Sequence, residues 1–178
     1  MQYRRADLKG GTYFFTVNLA ARKRTLLTDE IDKLRMVINR VKKKHPFHLN
    51  AMVVLPDHLH AMMTLPLDDN DYSVRWSLIK AGFSRLLPAT EKINKSRNSK
   101  GERGIWQRRY WEHLIRDKHD YASHVNYIHF NPVKHHYVES PVDWPYSTIH
   151  DYISRGILSN DWGGRNNESP GMQFGERS

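Results

Sequence analysis

Residues 47–65 read FHLNAMVVLPDHLHAMMTL, two apolar runs split by Pro56-Asp57. Pro and Asp are turn formers, so 47–55 and 58–65 predict two strands of an antiparallel hairpin. Upstream, TYFFTVNLA (12–20) follows Gly10-Gly11 and, being β-branched and aromatic, predicts an earlier strand. Between these strands Thr28 opens a segment with Asp29 and Glu30 in its first turn. There Ile31, Leu34, Val37, Ile38 and Val41 recur at helical spacing, and Lys42, Lys43 and Lys44 crowd the end, so a helix should stop near His45-Pro46.

Downstream, Val74, Leu78, Ile79, Phe83 and Leu86 predict a helix over 72–87. Residues 88–104 hold few apolar side chains and predict a mobile basic loop. IWQRRYWEHLIR (105–116) suits a fourth strand, and Asp117 caps a helix over 118–131 that Asn131-Pro132 should end. A short helix near 146–153 follows. From Gly163 the chain is polar and glycine-rich, so a flexible tail is expected. The order β-α-β-β-α-β predicts an α+β, ferredoxin-like antiparallel sheet with helices on one face. One domain over 1–162 and a tail over 163–178 are expected.

The 178 residues include no cysteine, which excludes disulfide scaffolds, thiolate metal sites, iron–sulfur clusters and a cysteine nucleophile. No run approaches the roughly 18 apolar residues of a membrane span, and neither GxxxxGK[ST] nor GxGxxG is present. With 28 Lys and Arg against 19 Asp and Glu, the net charge is +9. A soluble, cytoplasmic protein with a polyanionic partner is expected, nucleic acid first among candidates.

Three constellations could carry chemistry. On a strand His58 and His60 share a face, where two imidazoles can chelate one divalent cation. Ordinary hydrogen bonds on a half-buried strand would account for the pair equally well. Tyr127 and Asn131, four apart, stack on one helix face. A phenol can be a nucleophile and an amide oxygen can complete a metal site. Packing of the ring and a helix stop before proline explain the same two residues. In Trp106-Gln107-Arg108-Arg109-Tyr110-Trp111, guanidinium groups for phosphates alternate with flat rings for bases, as single-strand binding requires, although an aromatic strand with solvated arginines has the same pattern. Arg4, Arg5 and Lys134 are further candidate DNA contacts. His135-His136 has a loop context and reads as non-metal.

Taken in order, GGTYFFTVNL (10–19), VVLPDHLHAMMTLP (53–66), WQRRYWEHLIRD (106–117), HVNYIHFNPVKHHYV (124–138) and DWPYST (143–148) resemble the REP-associated tyrosine transposases, part of the HUH single-strand DNA transposases with one catalytic tyrosine. The resemblance spans roughly residues 3–162. It implies that His58 and His60 are the paired histidines of the motif and Tyr127 the nucleophile. Asn131, where relatives often carry Gln, would stand at the third metal ligand. It further implies a divalent metal, Mg²⁺ or Mn²⁺, and a 5′-phosphotyrosine intermediate. The implied substrate is a REP-type palindromic hairpin with a single-stranded foot. A monomer in the bacterial cytoplasm, associated with the nucleoid, is the expected setting. Two other classes stay open: a non-catalytic single-stranded or hairpin nucleic-acid-binding protein, and a hydrolytic zinc nuclease using Asp57 or Glu112.

Overall fold

The computed structural model describes residues 7–22 and 24–164. Four strands form one antiparallel sheet: β1 (Thr12–Asn18), β2 (His48–Val54), β3 (His58–Thr64) and β4 (Trp111–Leu114), in the order β2-β3-β1-β4. That order is the ferredoxin-like one expected from the β-α-β-β-α-β sequence. β1 is central because its alternating residues are apolar on both faces, so it must be covered on both sides.

The crossover helices α1 (Leu26–Asp29), α2 (Ile31–Lys44) and α3 (Tyr72–Arg85) cover the face presented by Tyr13, Phe15, Val17, Leu59, Ala61 and Met63. The α2 stripe is the expected one, Ile31, Leu34, Val37, Ile38 and Val41. Its start differs: Leu26–Asp29 forms a separate turn, broken at Glu30. On α3 the buried stripe is Tyr72, Trp76, Ile79 and Phe83, while Val74 and Leu78 face outward. The larger rings at 72 and 76 have the same spacing and take the core. Gly82 has a packing reason, because a Cβ there would lie 2.8 Å from Val37 Cγ1 across the α2–α3 contact.

A third long helix covers the other face. Helix α5 (Lys118–Lys134) lays Val125, Tyr127 and Ile128 on Phe14, Ala51, Val53, Leu55 and Met62. It runs three residues past the expected stop: Pro132 lies inside the helix and forfeits one backbone bond, a loss that burial of Asn131 and Pro132 offsets. A 3-10 turn (Pro141–Asp143) and α6 (Ile149–Ser154) close this layer.

Two segments are shorter or more ordered than expected. Only Trp111–Leu114 pairs as β4; residues 105–110 touch the sheet through the Leu19–Trp106 bridge. The basic stretch 88–104 contains α4 (Lys95–Asn98) and is tied down by Arg103, which donates to the carbonyls of Ser84, Leu87 and Pro88 and pairs with Glu91. Arg4, Arg5 and the tail beyond residue 164 lie outside the described residues.

Candidate active site

Register decides which face carries the histidines. β1 pairs with β3 so that Thr16 lies opposite His60 and Asn18 opposite His58. His58 and His60 therefore share the face of Phe14 and Met62, under α5, and are only 2% and 0% exposed. Their rings lie 5.1 Å apart, at 85°.

Each imidazole is oriented through Nδ1. His58 Nδ1 meets Asp57 Oδ1 at 2.6 Å, and His60 Nδ1 meets Thr16 Oγ1 at 2.8 Å. Arg22 holds the other Asp57 oxygen at 2.6 Å and also donates to Asn18 Oδ1 at 2.7 Å. Anchoring both Nδ1 atoms directs each Nε2 outward from its anchor, the arrangement a carboxylate–histidine–metal relay uses. Burial pushes the His58 imidazole below its usual range against the pull of Asp57, which favours the neutral form a metal needs. Burial alone would raise Asp57, but its bonds to His58 and Arg22 outweigh that and hold the carboxyl low.

Helix α5 brings the second group. The side chain of Asp117 accepts from the Asp120 N–H at 2.8 Å and fixes the start of the helix. From there Tyr127, Asn131 and His135 fall on one stripe at four-residue steps. The Tyr127 ring lies 5.2 Å from that of His60, and the His135 ring 5.2 Å from that of His58. Asn131, midway between them on the stripe, is fully buried. Lys134 Nζ donates to the Tyr127 hydroxyl at 3.2 Å and lies 4.9 Å from the centre of the same ring.

The donor set suits a divalent cation. His58 Nε2 is buried with no hydrogen-bond partner among the described residues. A neutral imidazole nitrogen left so, beside a second imidazole and an amide oxygen, is a mixed N/O set of the kind divalent metals accept. A separate trio, His113, Asp120 and His124, brings its ligand atoms within 4.8 Å of one another. It sits across Phe14, whose ring is 5.6 Å from His60 and 4.8 Å from His124. The Asp120 carboxylate there already accepts from the Arg116 N–H at 3.0 Å and meets His113 Nε2 at 2.9 Å, and its backbone carbonyl meets His124 Nδ1 at 2.8 Å, so the trio clamps β4 to α5. Burial would raise the Asp120 carboxyl, but these bonds hold it down to about 2.

The candidate DNA contacts divide. Trp111 is 44% exposed at the start of β4, in the cross-strand row Trp111–Thr16–His60, and Arg109 is exposed beside it. Arg108 is exposed and paired with Glu102 at 2.7 Å. Trp106 is 5% exposed, stacked edge-on against Phe83, with its indole N–H on the Lys80 carbonyl. Lys134 lies at the tyrosine. Sequence reasoning missed Thr16, Arg22 and His135. The signal for Thr16 is the β1–β3 register, and that for His135 is its spacing of eight from Tyr127.

Comparison with known proteins bears on this arrangement. Residues 10–131 match the family model described as IS200-like transposase, a span that holds both histidines, Tyr127 and Asn131. The REP-associated tyrosine transposase of Escherichia coli K12 is 47% identical over 163 residues, 92% of this chain and 91% of that one. A Haemophilus influenzae relative is likewise 47% identical over 163 residues, 91% and 93% of the two chains. A solved structure of a REP-associated tyrosine transposase bound to a REP hairpin superposes with a TM-score of 0.80 at 44% identity, covering 98% of both chains.

Proposed function

This chain belongs to the IS200-like transposase family, among the REP-associated tyrosine transposases, and from that premise we propose that it cuts and rejoins single-stranded DNA beside a REP-type hairpin through Tyr127. The observation that carries the reading is the meeting of the Tyr127 ring with His60 at 5.2 Å, with the Lys134 ammonium on the phenol oxygen.

Attack of the Tyr127 oxygen on phosphorus forms a tyrosyl phosphodiester at the 5′ side and breaks the bond to the 3′ oxygen. The phenol gives up its proton and the leaving 3′ oxygen gains one, so the products are a covalent 5′-phosphotyrosine and a free 3′-OH. Attack by a 3′-OH on that adduct reverses the step and joins strands. The phosphodiester energy is kept in the adduct, in keeping with the missing ATP loop.

His58, His60 and Asn131 would hold a divalent cation, with Asp57 and Thr16 orienting the imidazoles. Bound there, Mg²⁺ or Mn²⁺ would supply positive charge to the scissile phosphate. The Lys134 ammonium on the phenol oxygen stabilises the charge that forms when that oxygen loses its proton and so favours its attack. Trp111 offers a ring to a neighbouring base, and Arg108 and Arg109 offer charge to phosphates. All of these groups come from one chain, which supports a monomer. Residues 1–162 act as the catalytic domain. No described helix is long and apolar enough to cross a membrane, and a bacterial cytoplasmic enzyme working on the nucleoid fits the reading.

The test is incubation with a hairpin oligonucleotide carrying a labelled single-stranded foot and Mg²⁺. The label downstream of the cut should stay on the protein in SDS, and the released strand should end in a 3′-OH that a polymerase extends. Release of both halves with no adduct would point to a hydrolytic nuclease instead.

A further inference from the structure

A separate cavity lies outside the histidine–tyrosine site. It has a volume of about 620 Å³ and is enclosed by α3, α4 and residues 101–110, on the sheet face opposite α5. That volume falls within the roughly 300–1,000 Å³ of small-molecule sites. Five cations line it, Lys80, Arg85, Arg97, Arg103 and Arg108, against one carboxylate, Glu102. Glu91 offsets Arg103 from outside the lining, and Glu102 offsets Arg108, so the wall keeps a surplus of positive charge.

Much of the wall is already braced. Lys80 Nζ donates to the Gln107 carbonyl at 2.7 Å, and Arg97 donates to the carbonyls of Arg103 and Trp106 at 3.0 and 3.1 Å. These bonds fix cations around a hollow rather than leave them swinging in solvent. Burial, with Arg97 nearby, pushes the Lys80 ammonium below its usual range, a cost that an anion in the cavity would relieve. Tyr110 and the edge of Trp106 add flat aromatic wall.

Position connects the cavity to the reaction site. The Gln107 N–H bonds the Asn18 carbonyl, and Asn18 lies opposite His58, so this wall of the cavity lies at the same end of the sheet as the paired histidines. Residues 106–111 run from its wall to exposed Trp111, at most roughly 17 Å of backbone, with Arg108 and Arg109 exposed along the way. A strand leaving the tyrosine site past Trp111 would pass Arg109 before it reached the hollow.

We infer that this cavity is a nucleotide subsite, which takes one unpaired nucleotide of the bound strand, phosphate on the cations and base against the aromatic wall. The inference rests on the single-strand reading above and adds where the strand goes after the cut site. Its consequence is that one position of the foot is read by the side of the sheet that does no chemistry.

The experiment walks a single abasic site along the foot of a hairpin oligonucleotide and measures affinity by anisotropy. The chain is compared with Ala81→Phe and Ser77→Phe, each of which puts a ring into the cavity from α3, where Ser77 is exposed. Thermal melting checks that each variant folds. In the unaltered chain, one abasic position should weaken binding about five- to a hundredfold. In the plugged variants that position should cost nothing further, because the base has already lost its place. Arg85→Gln should flatten the log–log salt dependence by about 0.7. Identical abasic profiles in plugged and unaltered chains, with adduct formation intact, overturn the subsite alone. An unaltered chain that forms no adduct and ignores the foot overturns the single-strand reading, and the subsite with it.

Discussion

The Lys134 ammonium lies 3.2 Å from the Tyr127 hydroxyl and 4.9 Å from the centre of that ring, one helix stripe holding both the candidate nucleophile and a cation on it. A hydrogen bond to a charged group is worth roughly 1.5–3 kcal/mol. Lys134→Met should slow adduct formation by roughly ten- to a hundredfold at saturating DNA. Lys134→Arg should recover part of that rate, read by single-turnover gel assay. An unchanged rate in Lys134→Met would make the lysine a DNA contact only.

Asp57 acts on His58 from behind, at 2.6 Å, and is itself held by Arg22. Loss of such an orienting partner typically costs 10–100-fold in metal affinity. Asp57→Asn should therefore raise the Mn²⁺ concentration needed for half-maximal adduct formation by about that factor, with the rate at saturating metal less affected. An unshifted metal titration would remove Asp57 from this role.

Much of this was legible in the chain and some was not. Strand alternation is local, so residues 12–20 and 47–65 announce the sheet directly, and the α2 stripe is read from its spacing alone. The α3 stripe is not legible from spacing, because Tyr72 and Trp76 have the same periodicity as Val74 and Leu78, and volume chooses between them. The α5 face depends on packing: only burial of Asn131 and Pro132 carries that helix past proline to Lys134 and so brings Lys134 to Tyr127. His135 reads as loop for the same reason, yet its ring ends 5.2 Å from His58.

Acid should loosen the α5 layer at its start. The Asp120 carboxyl is held at about 2 in the folded chain, against about 3.9 when unfolded. A depressed carboxylate stabilises above its unfolded value, and that contribution is lost as pH falls from about 4 towards 2. It amounts to about 1 kcal/mol once the full linkage value is reduced for solvent screening. Urea midpoints at pH 5, 4 and 3 should fall less for Asp120→Asn than for the unaltered chain, although the variant starts lower. Parallel curves would show that the clamp from His113 and His124 contributes no such linkage.

The form of the DNA should matter more than its length. A hairpin with a single-stranded foot should bind far more tightly than a blunt duplex of the same sequence, since attack in line needs a strand free to bend towards Tyr127. Roughly five phosphate contacts on the single strand would give a log–log salt slope of about −3.5. Anisotropy across a salt series with both ligands measures this, and equal affinities would contradict it.

The covalent bond assigned to Tyr127 is tested most directly by removing its oxygen. Tyr127→Phe removes one oxygen and keeps the buried ring against Phe14 and His60. With labelled hairpin DNA and Mg²⁺, this variant should form no SDS-resistant adduct and should keep a dissociation constant within a few-fold of the unaltered chain. A persistent adduct would contradict that assignment and move the nucleophile to Tyr110, Tyr121 or Tyr137.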